Sequence, residues 1–230
     1  MDKPIFTLNN IQYKADNETL LNIKNFEFHR GACYMLSGEM GAGKSLILNI
    51  MNKKIKPFSG EILYESNNFQ NISRSTYLKE IAYVTQDTKK PFFKNTYQYI
   101  YSHVKNNNQT NKVDKLVNNI ITVMDIKYLA NKKVRNLTTC QFRWIDLAAK
   151  IASFPKVLFI DELEQHLSMS KVKILNKILY RKCNYEGITV IASTQNREFF
   201  SSLISVNINL NHGRITSVRS SNRKRKPSKK

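Results

Sequence analysis

One stretch constrains this chain more than any other. Gly38-Glu39-Met40-Gly41-Ala42-Gly43-Lys44-Ser45 fits the pattern G-x-x-x-x-G-K-[ST], which carries meaning only between a strand and a helix. Both are predicted here. Ala32 to Leu36 reads as a buried strand, and Lys44 to Lys54 places Leu46, Ile47, Ile50 and Met51 on one helical face. Glycines let the backbone curl so that successive N–H groups converge on phosphate oxygens. The helix N-terminus adds roughly half a positive charge. Gly38, Glu39, Met40, Gly41, Ala42, Gly43, Lys44 and Ser45 are therefore the expected contacts to a nucleotide's phosphates. Lys44 is expected to reach the β and γ phosphates, and the Ser45 hydroxyl to ligate magnesium.

A second feature completes a site. Val157-Leu158-Phe159-Ile160 is an apolar strand that ends in Asp161-Glu162. Carboxylates at the C-terminal edge of a parallel sheet sit where such folds bind ligands. Asp161 is expected to hold magnesium through water, and Glu162 to polarise an attacking water. The acidic strand is a weak signal alone. Paired with the loop at 38–45, at this distance, it becomes a strong one.

The remaining periodicities give the organisation. Phe6-Thr7-Leu8, Ile11-Gln12-Tyr13 and Phe26-Glu27-Phe28 read as strands of a small antiparallel sheet, with another strand at Glu61–Tyr64. Further strands are predicted at Ile81–Thr85, Val157–Ile160, Thr189–Ser193 and Ser205–Leu210, then Arg214–Val218 after a turn at His212-Gly213. A helix is expected around Lys171–Arg181. Val113, Leu116, Val117, Ile120, Ile121 and Met124 recur at helical spacing, as do Ile145, Ala148, Ala149 and Ala152, so residues 88–154 read as a mostly helical insertion. Strands alternating with helices argue for a parallel sheet covered on both faces. The expected domain is residues 1–216, followed by a tail at 217–230 that has no acidic residue and is predicted to be disordered.

Composition enters at the tail and at the termini. The formal net charge is +20. Three readings of the tail stand: a solvated solubility tail, attraction to anionic lipid headgroups, and contact with nucleic acid. The three cysteines, Cys33, Cys140 and Cys183, are far apart and suggest reduced thiols rather than a disulfide or zinc framework. No apolar run approaches the roughly 18 residues of a membrane helix, and the N-terminus lacks a signal-peptide pattern. A cytoplasmic chain is expected, held at a membrane only through a partner.

With both motifs in place, the chain resembles the ABC ATPase family from about Ile5 to Val218. The resemblance implies an α/β fold: a P-loop NTPase core with a mainly parallel sheet, an N-terminal antiparallel β subdomain and an inserted helical subdomain. Tyr83-Val84-Thr85-Gln86-Asp87 looks like the family's Q-loop, whose glutamine contacts magnesium or water and faces a membrane partner. Tyr13 lies where the family stacks an aromatic ring on adenine. Pro57-Phe58-Ser59-Gly60-Glu61-Ile62 is similar to its P-x-S-G-x-I turn, and Leu210–Ile215 to its closing hairpin. Leu137-Thr138-Thr139-Cys140-Gln141 occupies the place of the L-S-G-G-Q signature, which in the family crosses a dimer interface to the partner's γ-phosphate.

Several positions depart from the family pattern. Thr139 and Cys140 replace the signature glycines, and their side chains are expected to crowd close backbone approach and to disfavour φ > 0. Ser168 stands at the D-loop aspartate position, Leu163 follows Glu162 where proline is usual, and Leu46 replaces a second hydroxyl after the phosphate loop. Gln195 occupies the switch-histidine position; its amide can hydrogen-bond a phosphate but carries no positive charge. Two expectations follow: good Mg-ATP binding with slow hydrolysis, or ordinary drift with hydrolysis retained through Glu162. The resemblance implies ATP and Mg2+ as cofactors, Glu162, Gln86 and Gln195 as catalytic groups, and Ser45, Gln86 and Asp161 as metal ligands. It also implies a homodimer or heterodimer with another ABC ATPase. The leading functional expectation is a transporter ATPase driving a separate membrane subunit from the cytoplasmic face. A cell-division type acting on a membrane complex and a nucleic-acid or ribosome-associated type remain as alternatives.

Overall fold

The computed structural model of the chain describes residues 3–16, 18–107 and 112–221. Two sheets carry the architecture. A four-stranded antiparallel sheet is ordered β2-β1-β4-β5, from β1 (Phe6–Ala15), β2 (Glu18–Phe28), β4 (Ser59–Tyr64) and β5 (Asn67–Asn68). A six-stranded sheet is ordered β10-β9-β3-β8-β7-β6, from β3 (Cys33–Ser37), β6 (Ile81–Val84), β7 (Val157–Ile160), β8 (Thr189–Ser193), β9 (Val206–Asn211) and β10 (Arg214–Ser220). All its neighbours pair in parallel except β9 with β10.

The parallel strands are short apolar runs because both of their faces are buried. Successive side chains of β3 alternate between two cores. Cys33 and Met35 face the core that holds Trp144, Leu175 and Leu179, whereas Tyr34 and Leu36 face the one that holds Phe6, Leu48 and Tyr77. α1 (Lys44–Met51) and the antiparallel sheet cover the second face. α5 (Thr139–Ala152) and α6 (Met169–Glu186) cover the first. A fully buried Leu, Ile or Phe contributes about 1.5–3 kcal/mol relative to exposure, so the sheet is held from both sides along its length.

Three of the six α-helices of the described residues lie between β6 and β7: α3 (Thr96–Asn107), α4 (Val113–Val123) and α5. Trp144 on α5 is buried, and its indole N–H donates to the Met124 carbonyl at 3.0 Å, which ties α5 to the end of α4. Two helices have no individual signal in the sequence pattern, although α3 falls within the stretch 88–154 read as mostly helical. α2 (Arg74–Glu80) is seven residues long, with Ser73 as N-cap accepting from the Thr76 amide. α3 is rich in tyrosine, a residue that favours strands, yet Thr96, Ile100 and Val104 recur on one buried helical face. α1 ends at Met51 rather than Lys54, with Asn52 as C-cap and Lys53 at φ 55.

Residues 217–220 depart from the tail that composition suggests. β10 continues to Ser220, so residues 217–220, including Arg219, are paired with β9. Ladder hydrogen bonds to a core strand outweigh the polar composition there. Ser221 donates its hydroxyl to the Ile204 carbonyl at 2.9 Å, and residues 222–230 of the expected tail lie outside the described residues.

Candidate functional site

The strand ends build the site. Leu36 pairs with Ser193, Ala192 with Ile160, and Ile160 with Val84, so the C-terminal ends of β3, β8, β7 and β6 lie along one edge. The loops leaving that edge carry Gly38–Gly43, Thr194–Gln195, Asp161–Glu162 and Thr85–Gln86. This is where an open α/β sheet binds ligands.

The loop at 38–43 is shaped by its glycines and fixed at its base. Gly38 has φ 143, and a β-carbon on it would lie 2.2 Å from the Leu210 carbonyl oxygen of β9. Gly43 is the N-cap of α1 at φ 96, in the left-handed region that favours glycine. The Gly213 amide of the closing hairpin donates to the Ala42 carbonyl at 3.2 Å, and the Asn22 amide of β2 donates to the Gly213 carbonyl at 2.8 Å. The loop is thus strung between the two sheets. Lys44 is buried, and its ammonium donates to the carbonyls of Gly38 and Glu39, both at 2.7 Å. Those neutral acceptors fix the ammonium beside the loop, where Lys44 lines the cleft.

The acidic pair faces this loop. Ser45 Oγ donates to Asp161 Oδ1 at 2.9 Å, which joins the two motifs directly. Ser193 Oγ donates to the same oxygen at 2.6 Å and accepts from the Glu162 amide at 2.7 Å. Glu162 sits at φ 50, uncommon for a residue other than glycine. Gln195 Nε2 donates to Glu162 Oε1 at 2.9 Å. The loop carrying Gln195 is pinned by Glu164, whose carboxylate accepts from the Thr194 hydroxyl and from the amides of Gln195 and Asn196 at 2.8–3.1 Å. Beneath the pair, burial and the Asp161 charge push the Tyr83 phenol up from its ordinary value. Burial pulls the Arg143 guanidinium down, against the opposing pull of Asp146, Asp161, Glu162 and Glu164.

An open cleft of about 460 Å³ gathers Met40, Gly41, Ala42, Gly43, Lys44 and Ser45 with Gln86, Glu162 and Gln195. Of the expected site residues, Gly38 and Glu39 form the root of the loop, and Asp161 lies buried behind Ser45. Tyr13 does not line the cleft. It is half-buried against the N-terminal core, paired across the ladder with Leu21, and the neighbouring Leu20 lines the cleft instead. Leu137, Thr138, Thr139, Cys140 and Gln141 also stand apart from the cleft. Leu137 is buried, while Thr138, Thr139 and Cys140 are exposed.

Thr139 and Cys140 are the first two residues of α5, and neither has positive φ, so their β-carbons impose no strain. Thr138 caps the helix by accepting from the Gln141 amide at 3.2 Å, and Gln141 Oε1 accepts from the Thr138 amide at 3.1 Å. This reciprocal pair is a capping box. Sequence reasoning missed Leu20, Ser193, Glu164 and Arg143. A small hydroxyl residue ending an apolar strand beside the acidic strand was the available signal for Ser193; nothing comparable marked Leu20.

Magnesium suits the donors that meet here. The Ser45 hydroxyl and the Asp161 carboxylate share a hydrogen bond, and the Gln86 side chain faces the same cleft. All three offer the hard oxygen ligands this ion takes, usually together with substrate phosphates.

Comparison with known proteins agrees with this reading. The sequence model described as ABC transporter matches residues 21–165, more than half of the chain. A putative ABC transporter ATP-binding protein of Clostridium tetani is 24% identical over 190 residues, covering 83% of this chain and 43% of the relative. The chain therefore spans less than half the length of that protein. The probable iron export ATP-binding protein FetA of Escherichia coli is 24% identical over 197 residues, covering 86% of this chain and 87% of the relative. Among solved structures, cbiO1 of Clostridium perfringens, part of the ABC transporter complex cbiONQ, superposes with a TM-score of 0.81 at 23% identity, over 95% of this chain and 89% of that one. Loop, acidic strand, fold and family match coincide in one conclusion: the chain belongs to the ABC transporter family, as an ATP-binding ATPase domain.

Proposed function

We propose that this chain binds Mg-ATP in the cleft between Gly38–Ser45 and Asp161–Glu162, and that it hydrolyses ATP slowly while driving a separate membrane subunit. The observation that carries the reading is the 2.9 Å contact between Ser45 and Asp161, which joins phosphate loop and acidic strand at one sheet edge. Backbone amides of the loop and the Lys44 ammonium bind and orient the phosphate tail. Ser45, Asp161 and Gln86 would hold magnesium, which supplies charge neutralisation at the phosphates when bound. Glu162 accepts the proton of the attacking water.

Slow hydrolysis follows from what touches Glu162. The Gln195 amide donates to its carboxylate, so the base is partly engaged, and no cation at 195 stands ready for developing phosphate charge. One missing donor to a developing oxyanion commonly costs about 3 kcal/mol, or 10²-fold in rate.

A second nucleotide domain fits the geometry. The exposed Thr138–Cys140 segment is away from the chain's own cleft, so its helix N-terminus is free to meet a nucleotide held by another copy or by a related domain. Phe92 and Phe93 follow Gln86 in the chain and are 59% and 87% exposed, an apolar pair suited to a membrane subunit.

Steady-state ATPase with and without Gln195→His tests the reading, beside Mg-ATP affinity. Saturable binding, low wild-type turnover and a rise of about tenfold or more in Gln195→His are expected. Turnover of about 1 s⁻¹ or faster that the substitution leaves unchanged removes the slow-site idea. Absence of saturable binding removes the whole proposal.

A further inference from the structure

Arg143 bonds three residues of this machinery, and no motif singles it out. It lies in the second turn of α5 and is 4% exposed. Its Nη1 donates to the Thr85 carbonyl at 2.6 Å, and its Nη2 donates to the carbonyls of Asp161 at 2.6 Å and Glu162 at 2.9 Å. Thr85 immediately precedes Gln86. One planar group therefore grips the backbone on which both cleft-facing residues are mounted.

We infer that Arg143 is a positioning residue that sets Gln86 and Glu162 relative to each other and makes their placement follow α5. The inference rests on the proposed ATP site and adds a control on it.

Three observations carry it. First, packing alone does not account for a buried guanidinium. Removing such a charge from water costs several kcal/mol, and an apolar residue of similar volume would pack more cheaply. Its direct acceptors are all backbone carbonyls. Asp146, one turn along α5, is instead engaged by the Tyr99 phenol at 2.6 Å and the Thr88 hydroxyl at 3.1 Å. Asp161 Oδ1 is engaged by Ser45 and Ser193. A rigid fork of donors matches three carbonyls in a way that a lysine point charge does not.

Second, Glu162 needs holding. Its φ of 50 belongs to a region costing about 1–3 kcal/mol, which persists only when neighbours over-determine it. Ser193 grips its amide and Arg143 its carbonyl, so the peptide units on both sides are fixed.

Third, the loop after β6 is tied to α5 twice. Arg143 holds Thr85, while Asp146 holds Thr88, whose hydroxyl lies 3.1 Å from that of Thr85. The same helix begins at the exposed segment Thr138–Gln141. A second domain docking there would push on a rod whose next turn holds Gln86 and Glu162.

The test uses the full chain with Arg143→Lys. Single-turnover hydrolysis at saturating Mg-ATP is read beside Mg-ATP affinity and melting temperature. The expected result is hydrolysis slowed by about 10²-fold, because misplacement of about 1 Å costs that much, with affinity changed by about threefold or less. In a Glu162→Gln background the same substitution should add little, since Arg143 acts through Glu162. Should Arg143→Lys not fold, Thr88→Val loosens the same tether outside the cleft and should slow hydrolysis in the same direction. Unchanged hydrolysis in the folded variant, equal losses in affinity and rate, or a fully additive loss in the Glu162→Gln background each overturns the inference. A wild type no faster than Glu162→Gln also overturns it, because nothing is then left to position. Failure of the ATP-site proposal reads differently, as loss of Mg-ATP binding in the wild type itself.

Discussion

Ser193→Ala isolates one atom with two jobs. The hydroxyl is buried, donates to Asp161 Oδ1 at 2.6 Å and accepts from the Glu162 amide at 2.7 Å. A hydrogen bond to a charged acceptor contributes about 1.5–3 kcal/mol, and an orphaned buried N–H costs about 1–3 kcal/mol. Asp161 keeps Ser45 as a partner, and the nearby cleft admits water, so the lower ends apply. The sum is about 2.5 kcal/mol, which lowers the melting temperature of a domain this size by about 5–10 °C. The kinetic effect comes from Glu162. With its amide released, about 1.4 kcal/mol of backbone strain can relax, and the competent conformer falls about tenfold in population. Calorimetry and single-turnover hydrolysis at saturating Mg-ATP measure the two effects separately. A melting point within about 1 °C of wild type, with hydrolysis within about twofold, would show that Ser193 holds neither carboxylate and refute this reasoning.

Other perturbations probe other parts of the molecule. Gly38→Ala places a β-carbon 2.2 Å from the Leu210 carbonyl oxygen, a backbone atom that cannot swing aside, so Mg-ATP binding should vanish and melting should fall by about 8 °C or more. Gly41→Ala, at φ 81 with open space around it, should cost only about 1–2 kcal/mol in loop conformation, and its affinity should drop about tenfold. His103 supplies a pH test: burial first, then Lys150 and Lys94, pull its pKa from 6.5 down to about 3. The unfolded chain then binds the extra proton between those values, so stability holds above pH 6.5 and declines as pH falls toward 3. Urea melts should show a loss of about 1.4 kcal/mol at about pH 5.5 relative to neutrality, which His103→Gln should remove.

The fold was legible wherever pattern and packing agree. Val157–Ile160 and Thr189–Ser193 are apolar over their whole lengths because the parallel sheet buries both faces, and such runs announce themselves. The phosphate loop was legible because its shape is written in glycines. α3 was legible only as part of the stretch 88–154 read as mostly helical, since Tyr97, Tyr99 and Tyr101 suit a strand by propensity, and burial of Thr96, Ile100 and Val104 on one helical face fixes the helix. Ser193 and Arg143 were hidden for a different reason. Each acts through backbone amides or carbonyls of residues far away in sequence, and such partners leave no spacing to read. Tyr13 is named by a motif position alone; in the ladder it pairs with Leu21, and Leu20 is the β2 residue that reaches the cleft beside the phosphate loop.

That distinction ranks the departures from the family pattern. Thr139 and Cys140 are chemically the more conspicuous change, but they open α5 in ordinary helical backbone under a capping box, so under the proposed pairing their cost falls on how closely another domain can approach. Gln195 is the quieter change and sits closer to the chemistry. Its amide donates to the Glu162 carboxylate, and its own loop is locked by Glu164 through Thr194, Gln195 and Asn196. Altering the signature should therefore change association between domains more than the rate within an assembled pair. Altering Gln195 should change the rate with little effect on assembly. Restoring glycines by Thr139→Gly and Cys140→Gly, followed by sedimentation in Mg-ATP and by turnover, separates the two. A rate gain from the glycine pair that matches Gln195→His without any change in association would reverse this ranking.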